Sequence, residues 1–441
     1  MPTRPLHRIL PVFVSLFAAL SATPTRADDP VATAAPAFTP LSAADIGFDV
    51  RIDLAVDEKG ADVAFALIEK EFARDPRPHV QARYAEFLIQ GPLWHAPDGQ
   101  AARGLQLARE ALDRGSLYAR RVVGWELCTG RHGPADRPLG LAYLRQAADA
   151  GVPEAMLSLS EAYLRGIGVA VDLAAAEDWA ERAARQGQLT ALVKLARHYE
   201  RLSPPNREKA GELYYEAAID GDGPALELLW KRYEAKDPVG SRACQLVILS
   251  YASLGRTFPT KRVLTAIKEL ESKYPQDPLV LYRIGRAYMS GERGVWNLEK
   301  AQDFLARASA LGSDDARSAQ ATLLAEGGGV KKDKAKAVAI WRELAARGNA
   351  RALSSLGYYH YWGSLGAEYL PKDAALSFTF DKQAADLGDA YGQYNLGVSY
   401  RDGVGTAVDY VLAAKYFRMA AHRGHANARK QLTKLLLFVP H

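Results

Sequence analysis

Little in this chain invites covalent chemistry. Its 441 residues include only two cysteines, Cys128 and Cys244. That excludes a disulfide-stapled mini-fold and a multi-cysteine zinc site. No P-loop, Gly-x-Gly-x-x-Gly, Gly-x-Ser-x-Gly or His-Glu-x-x-His string occurs. The nine histidines are scattered. The closest pair, His422 and His425, has no acid or cysteine to complete the three or four donors a metal needs. Neither sign of charge dominates: 56 Lys and Arg face 51 Asp and Glu, a net +5 with a pI of about 8.9. Beyond the first 27 residues no apolar run approaches the roughly 20 residues that cross a bilayer. What is present is apolar content of 48%, enough for a packed core and too much for global disorder.

The start of the chain reads as a cleaved secretory signal, residues 1–27. Arg4 and Arg8 form its positive end, and Ile9 to Leu20 its apolar stretch. Thr25-x-Ala27 supplies the small residues a signal peptidase accepts, which places cleavage near Ala27. No cysteine lies near that site, so no lipid anchor and no direct membrane attachment is expected. Losing the segment removes Arg4, Arg8 and Arg26 and no acid, which lowers the net charge from +5 to +2. The case for a nucleic-acid partner lapses with it. Residues 28–60 read as a flexible leader, rich in Ala, Pro, Thr and Asp up to Ala44, and a first helical segment.

Self-similarity is the strongest signal in the remainder. A small-apolar pair followed by glycine recurs at Ala147-Ala148-x-x-Gly151, Ala183-Ala184-x-x-Gly187 and Ala217-Ala218-x-x-Gly221. It returns at Ala384-Ala385-x-x-Gly388 and Ala420-Ala421-x-x-Gly424, with looser copies ending at Gly115, Gly312 and Gly348. Most intervals are 36 residues; that from Gly348 to Gly388 is 40. Each unit also holds an inner glycine loop, such as Gly166-Ile167-Gly168, Gly291 to Gly294, Gly327-Gly328-Gly329 and Gly403-Val404-Gly405. An Asp or Asn follows it: Asp172, Asn297, Asp333, Asp409. The pattern predicts helix A ending on a glycine of positive φ, a short loop, then an acid or amide N-capping helix B. Three residues before the loop glycine runs a column of Leu127, Tyr163, Tyr288, Leu324, His360 and Tyr400, with Tyr199 in the unit that lacks the glycine. Three earlier runs a column of small residues, Gly124, Ser160, Ala196, Gly285, Ala321, Gly357 and Gly397. Small residues there let A and B approach, and stacked hairpins complete a continuous core.

The string Leu159-x-x-x-Tyr163-x-x-Gly166-x-Gly168-Val169-x-x-Asp172, with Ala183-Ala184-x-x-Gly187, resembles the Sel-one-like subclass of tetratricopeptide (TPR) repeats. About nine such units fill residues 61–428; Cys244 to Asp277 looks more like an ordinary TPR, with Ala266 in its helix B. Residues 429–441 complete a C-terminal capping helix and leave as a tail. The resemblance implies an all-α fold, a right-handed superhelical α-solenoid of helix hairpins. The late unit with Gly363-Ser364-Leu365-Gly366-Ala367-Glu368-Tyr369-Leu370-Pro371-Lys372 is also similar to the alginate-export scaffold (AlgK) family. That resemblance implies a periplasmic scaffold. It would hold an outer-membrane β-barrel and polysaccharide-modifying proteins in an exopolysaccharide secretion complex. Members of that family usually carry a lipoprotein cysteine, which this chain lacks.

Function is therefore expected from surface rather than from a catalytic site, a cofactor or a metal. Inserted residues in a repeat map to one face, often the binding face. The candidate partner-binding residues are Tyr358, Tyr359, Tyr361, Trp362 and Tyr369, around the enlarged repeat. The run Lys331-Lys332-Asp333-Lys334 reads as a solvated loop and helix start. Cys128 and Cys244, about three units apart, are expected to be separate, buried, inert thiols. A secreted Sel-one-like regulator or host-interaction protein is the alternative reading. An enzyme would need paired carboxylates that no motif supplies.

Overall fold

The computed structural model describes residues 42, 44–45, 47–49, 51–52, 55, 61–91, 99–220, 222–253, 259–290, 294–423 and 425–435. All lie in one compact unit, Phe38–His441; a second unit, Met1–Ala37, holds none of them. The predicted signal segment and the repeat glycines Gly221, Gly291 and Gly424 fall outside the described residues.

From Ala61 onward the described residues form helices and no strand. α1 (Ala61–Arg74) precedes four hairpins. These are α2 (Pro78–Gln90) with α3 (Ala101–Asp113), α4 (Leu117–Thr129) with α5 (Arg137–Asp149), α6 (Pro153–Arg165) with α7 (Leu173–Arg185), and α8 (Thr190–Arg201) with α9 (Arg207–Ile219). A single helix, α10 (Gly223–Glu234), interrupts the series. The fifth hairpin joins α11 (Pro238–Ser253) and α12 (Thr260–Lys273), and the sixth α13 (Pro278–Ser290) and α14 (Leu298–Ala310). Then come α15 (Asp314–Glu326) with α16 (Lys334–Ala346), α17 (Ala350–Trp362) with α18 (Ala374–Asp386), and α19 (Ala390–Asp402) with α20 (Tyr410–His422). α21 (Ala426–Leu435) closes the series. The nine hairpins are an all-α solenoid, and the unit count matches the sequence period.

The local chemistry follows the expected pattern. Asp172, Asn297, Asp333 and Asp409 each accept a backbone N–H in the first turn of their B helix, and so do Asp136, Asn206 and Asp373. Gly130, Gly166, Gly327, Gly363 and Gly403 end their A helices in the left-handed conformation. A further bond was not legible in the sequence. The N–H of each capping Asp or Asn donates back to the carbonyl of the Leu/Tyr/His column. The pairs are Asp136 to Leu127 at 3.0 Å, Asp172 to Tyr163 at 3.2 Å and Asn206 to Tyr199 at 2.9 Å. Asn297 to Tyr288, Asp333 to Leu324, Asp373 to His360 and Asp409 to Tyr400 repeat it at 2.8–3.0 Å. This clasp closes the loop whatever its length. In the enlarged repeat, four extra residues are absorbed because Leu365 and Leu370 fold into the core.

Side chains then decide how closely the hairpins pack. In the small-residue column, a Cβ added at Gly397 would sit 2.7 Å from the Phe417 ring. Ser160 uses the same closeness to donate its hydroxyl to the Ala176 carbonyl at 2.8 Å. The facing alanines, among them Ala147, Ala183, Ala308 and Ala384, are fully buried. Trp341 is the largest fully buried side chain, and its indole N–H reaches the Ser318 carbonyl at 3.2 Å. In the run at Lys331, Lys331, Lys332 and Asp333 are exposed as expected, while the Lys334 ammonium donates to the Leu365 carbonyl of the next repeat at 2.7 Å and lies over the Tyr369 ring.

The array curls until hairpin nine meets the end of hairpin three and the end of hairpin four. The Gln393 side chain donates to the Arg185 carbonyl at 3.0 Å, and Arg423 to the Ala184 carbonyl at 2.9 Å. Arg423 also pairs with Asp220 at 2.5 Å.

The second loop glycine carries a repeat-to-repeat contact. Gly405 has φ +70°, and an added Cβ would lie 2.2 Å from the Ala374 carbonyl oxygen of the preceding repeat. Gly312 also has positive φ, +88°, but faces open space. Gly312→Ala should therefore lose about 1 kcal/mol, from backbone strain alone. Gly405→Ala adds overpacking and should lose about 2–4 kcal/mol. Urea-unfolding midpoints of the two variants give the comparison; equal losses would contradict this packing role.

Candidate interaction face

Residues on the A helices that share one stripe turn toward the interior of the curl. On α17 that stripe runs Arg351, Ser355, Tyr358, Trp362, spaced as successive turns of one helical face. The Arg351 guanidinium lies 5.9 Å from the centroid of Tyr282 on α13, two repeats away. A helices two repeats apart can meet this way only on the concave side.

Of the five aromatics singled out, the structure leaves two exposed. Tyr358 and Trp362 are 48% and 59% exposed and their rings lie 6.4 Å apart. Tyr361 is half-buried, edge-on to Trp362 at 4.9 Å. Tyr369 is half-buried in the loop beneath Lys334. Tyr359 belongs to the core: it stacks on Trp341 at 4.9 Å and its hydroxyl donates to Glu326. Of the five, Tyr358 and Trp362, one turn apart, present exposed rings, with Tyr361 packed against Trp362.

The early repeats use the same face differently. There His79 and Arg83 of α2, Tyr118 and Arg121 of α4 and Glu154 of α6 are knitted together. Asp49, from the helical residues before α1, enters this group, 2.9 Å from His79 Nε2 and 3.4 Å from Arg83 Nε. Arg418 of α20 lies 3.8 Å from it. Burial opposes the charge on Asp49, yet His79, Arg83 and Arg418 hold its carboxyl well below the usual range. Arg83 donates to the Tyr118 hydroxyl, which donates to Glu86, and Glu86 pairs with Arg121. This half of the concave face is filled by the chain itself.

The described residues assemble no metal centre. No group of three His, Cys, Asp or Glu is placed to hold a metal, and no helix is long and apolar enough to cross a membrane. Cys128 and Cys244 are both free and buried. Burial pushes their thiols up to about 11 and about 12, which suppresses the reactive thiolate. His425 is half-buried between Tyr394 and Tyr391, and partial burial lowers its pKa to about 4. His360 is buried, stacks on Phe380 and contacts the Pro371 carbonyl at 2.9 Å.

One buried acid escaped sequence reasoning. At the eighth position of the B helices stand Leu144, Ala180, Tyr214, Leu305, Trp341 and Phe417, all core residues; in α18 it is Asp381. Gly357 makes the room, since a Cβ there would lie 2.3 Å from the Asp381 carboxylate. Asn395 donates to it at 3.1 Å and Ser377 at 3.4 Å. The signal was a lone acid in an otherwise apolar column.

Comparison with known families matches the Sel1 repeat at residues 118–152, 153–188, 189–222, 278–313, 321–349, 350–389 and 390–425. These stretches cover just over half of the chain and coincide with hairpins two to four and six to nine. Human Protein sel-1 homolog 2 is 29% identical over 154 residues, 35% of this chain and 22% of that protein. The rat protein of the same name is 36% identical over 94 residues, 21% of this chain and 13% of its own. The chain thus spans 13–22% of the length of these two curated relatives. Among solved structures it is similar to c5321, a protective antigen present in uropathogenic Escherichia coli strains displaying an SLR fold. That similarity has 19% identity over 91% of each chain and a TM-score of 0.34. A Sel1 repeat protein from Oxalobacter formigenes aligns at 20% identity over 95% of this chain and 99% of its own, with a TM-score of 0.30.

Asp381 sets a pH test. Burial raises its pKa from the ordinary 3.8 to about 7, against the two hydrogen bonds that favour its charge. The folded chain keeps the proton where the unfolded chain has released it, so stability falls as pH rises from about 4 to about 7 and is level above. Asp381→Asn keeps the shape without the charge and should be more stable than the native chain at pH 8, by about 2–4 kcal/mol. Thermal unfolding from pH 4 to 8 measures it; parallel pH profiles for the two chains would contradict the assignment.

Proposed function

The chain belongs to the Sel1 repeat family, and from that premise we propose that it is a non-catalytic protein–protein interaction scaffold. In this reading it is exported to the periplasm and organises an exopolysaccharide secretion complex of the alginate type. Its partners are an outer-membrane β-barrel and periplasmic polysaccharide-modifying proteins. The observation that carries the scaffold reading is the exposed Tyr358–Trp362 pair on a concave helical face. Large exposed aromatics on a rigid element are the side chains that dominate interface energies. The signal-like start and the Gly363–Lys372 loop support the envelope assignment.

The mechanism is geometric. Nine hairpins, seven of them closed by the same loop clasp, give a stiff curved surface, so partners held on it keep a fixed separation. Co-purification of the chain from cell-envelope extracts tests this. The native chain should bring down a β-barrel and polysaccharide-modifying proteins. The Tyr358→Ala/Trp362→Ala double variant should recover them at least ten-fold less, the effect of losing about 1.4 kcal/mol or more. Recovery without any such component, or recovery undiminished by the double variant, would overturn the reading.

A further inference from the structure

The early concave face shows what the late one lacks. In hairpins one to three His79 and the Arg83 guanidinium receive Asp49 from a segment of the chain itself. In hairpins six to eight, Arg283 and Arg286 of α13 and Arg351 of α17 gather beside Tyr282 without such an acid. The Arg283 guanidinium lies 5.2 Å from the Tyr282 ring centroid, and that of Arg351 5.9 Å. Arg283 also lies 5.5 Å from the Tyr215 ring. Among the described residues, none of the three arginines makes an ion pair. Arg283 Nε, Arg351 Nε and the Tyr282 hydroxyl are buried without a hydrogen-bond partner.

The acids facing this group are already engaged. Asp220 pairs with Arg423 at 2.5 Å, and Asp315 accepts from Asn349 at 3.0 Å. Asp389 caps α19 by accepting the Gly392 N–H at 2.7 Å. Burial, with Arg351 and Arg283 close by, works against the charge of Arg286. Asp315 and Asp389 act on Arg351, and Asp220 on Arg283, without forming an ion pair. A partly desolvated guanidinium group with no directly paired acid gains from an arriving carboxylate, and charge-assisted pairs formed there are the strong ones. From Arg351 the same stripe of α17 runs on to exposed Tyr358 and Trp362.

We propose that this late concave face binds an extended segment of a protein partner in which carboxylates lie next to a large apolar side chain. The carboxylates pair with Arg283, Arg286 and Arg351, as Asp49 pairs with Arg83 in the early half, and the apolar residue packs on Tyr358 and Trp362. The inference rests on the scaffold reading above and names the chemistry of its contact.

The test uses the full chain and a fluorescein-labelled octapeptide of alternating glutamate and phenylalanine, followed by fluorescence anisotropy. The peptide should bind saturably. Affinity should fall ten-fold or more for the glutamine–phenylalanine peptide and for the Arg283→Gln/Arg286→Gln chain, and at least three-fold for Trp362→Ala. Lys331→Gln/Lys332→Gln, which alters exposed charges elsewhere, should bind as the native chain does. The arginine variant should unfold at no lower temperature than the native chain, because it removes like charges, so its loss of binding is not a loss of fold. Equal binding of the glutamine peptide, or undiminished binding by the arginine variant, would overturn the proposal. So would displacement of the peptide by oligogalacturonate at a lower carboxylate concentration, which would assign the face to an acidic polysaccharide. Failure here with co-purification intact removes this contact and leaves the scaffold reading standing; failure of both removes both.

Discussion

One backbone hydrogen bond underlies the regularity of this molecule. The residue that caps each B helix also gives its N–H to the carbonyl of a residue in the last turn of the A helix, in seven of the nine hairpins. The Asp or Asn thus does two jobs: its side chain starts helix B and its main chain closes the loop. Because the bond fixes the two ends, the loop between them is free to vary. Tyr199 to Asn206 spans seven residues and His360 to Asp373 thirteen, and the same bond closes both at 2.9 and 3.0 Å. A hairpin so closed still leaves both of its faces apolar, and only neighbours on either side bury them.

Identical closure with different side chains is what produces function in such an array. The concave stripe of the A helices carries His79, Arg83, Tyr118, Arg121 and Glu154 early, and Arg283, Arg286, Arg351, Tyr358 and Trp362 late. The early set is neutralised within the chain by Asp49 and Glu86. The late set combines guanidinium groups that make no ion pair with exposed aromatic rings. Repeat geometry alone does not distinguish the two halves; direct charge pairing does. In the proposed contact the rigid backbone supplies position and the unpaired guanidinium groups supply affinity.

Much of the fold was legible in the sequence because it is written locally. The caps Asp172, Asn297, Asp333 and Asp409, the terminating glycines and the small-residue column all act within one hairpin, and each stands where the period places it. α10 was missed because it follows Gly221 without repeating the motif, although Asp222 before Gly223-Pro224 is a capping signal. The interaction face was legible only in part. Sequence spacing marked five aromatics, but whether a tyrosine such as Tyr359 faces the core or the groove depends on one step around the helix. The pairing of Arg423 with Asp220 joins residues about two hundred positions apart, and no local pattern encodes it. Asp381 was hidden for a different reason: its partner is an absence, the missing side chain of Gly357.

The inner face exists because hairpin nine returns to hairpins three and four. A Cβ placed at Gly187 would lie 3.2 Å from the Cβ of His422, close to the separation a disulfide spans. Mild oxidation of the Gly187→Cys/His422→Cys chain at low concentration tests the closure directly, because both native thiols are buried. Closure predicts one intramolecular cross-link, seen as a faster-migrating monomer that reverts on reduction. A chain that stays uncross-linked, or that links only to other molecules, would contradict it.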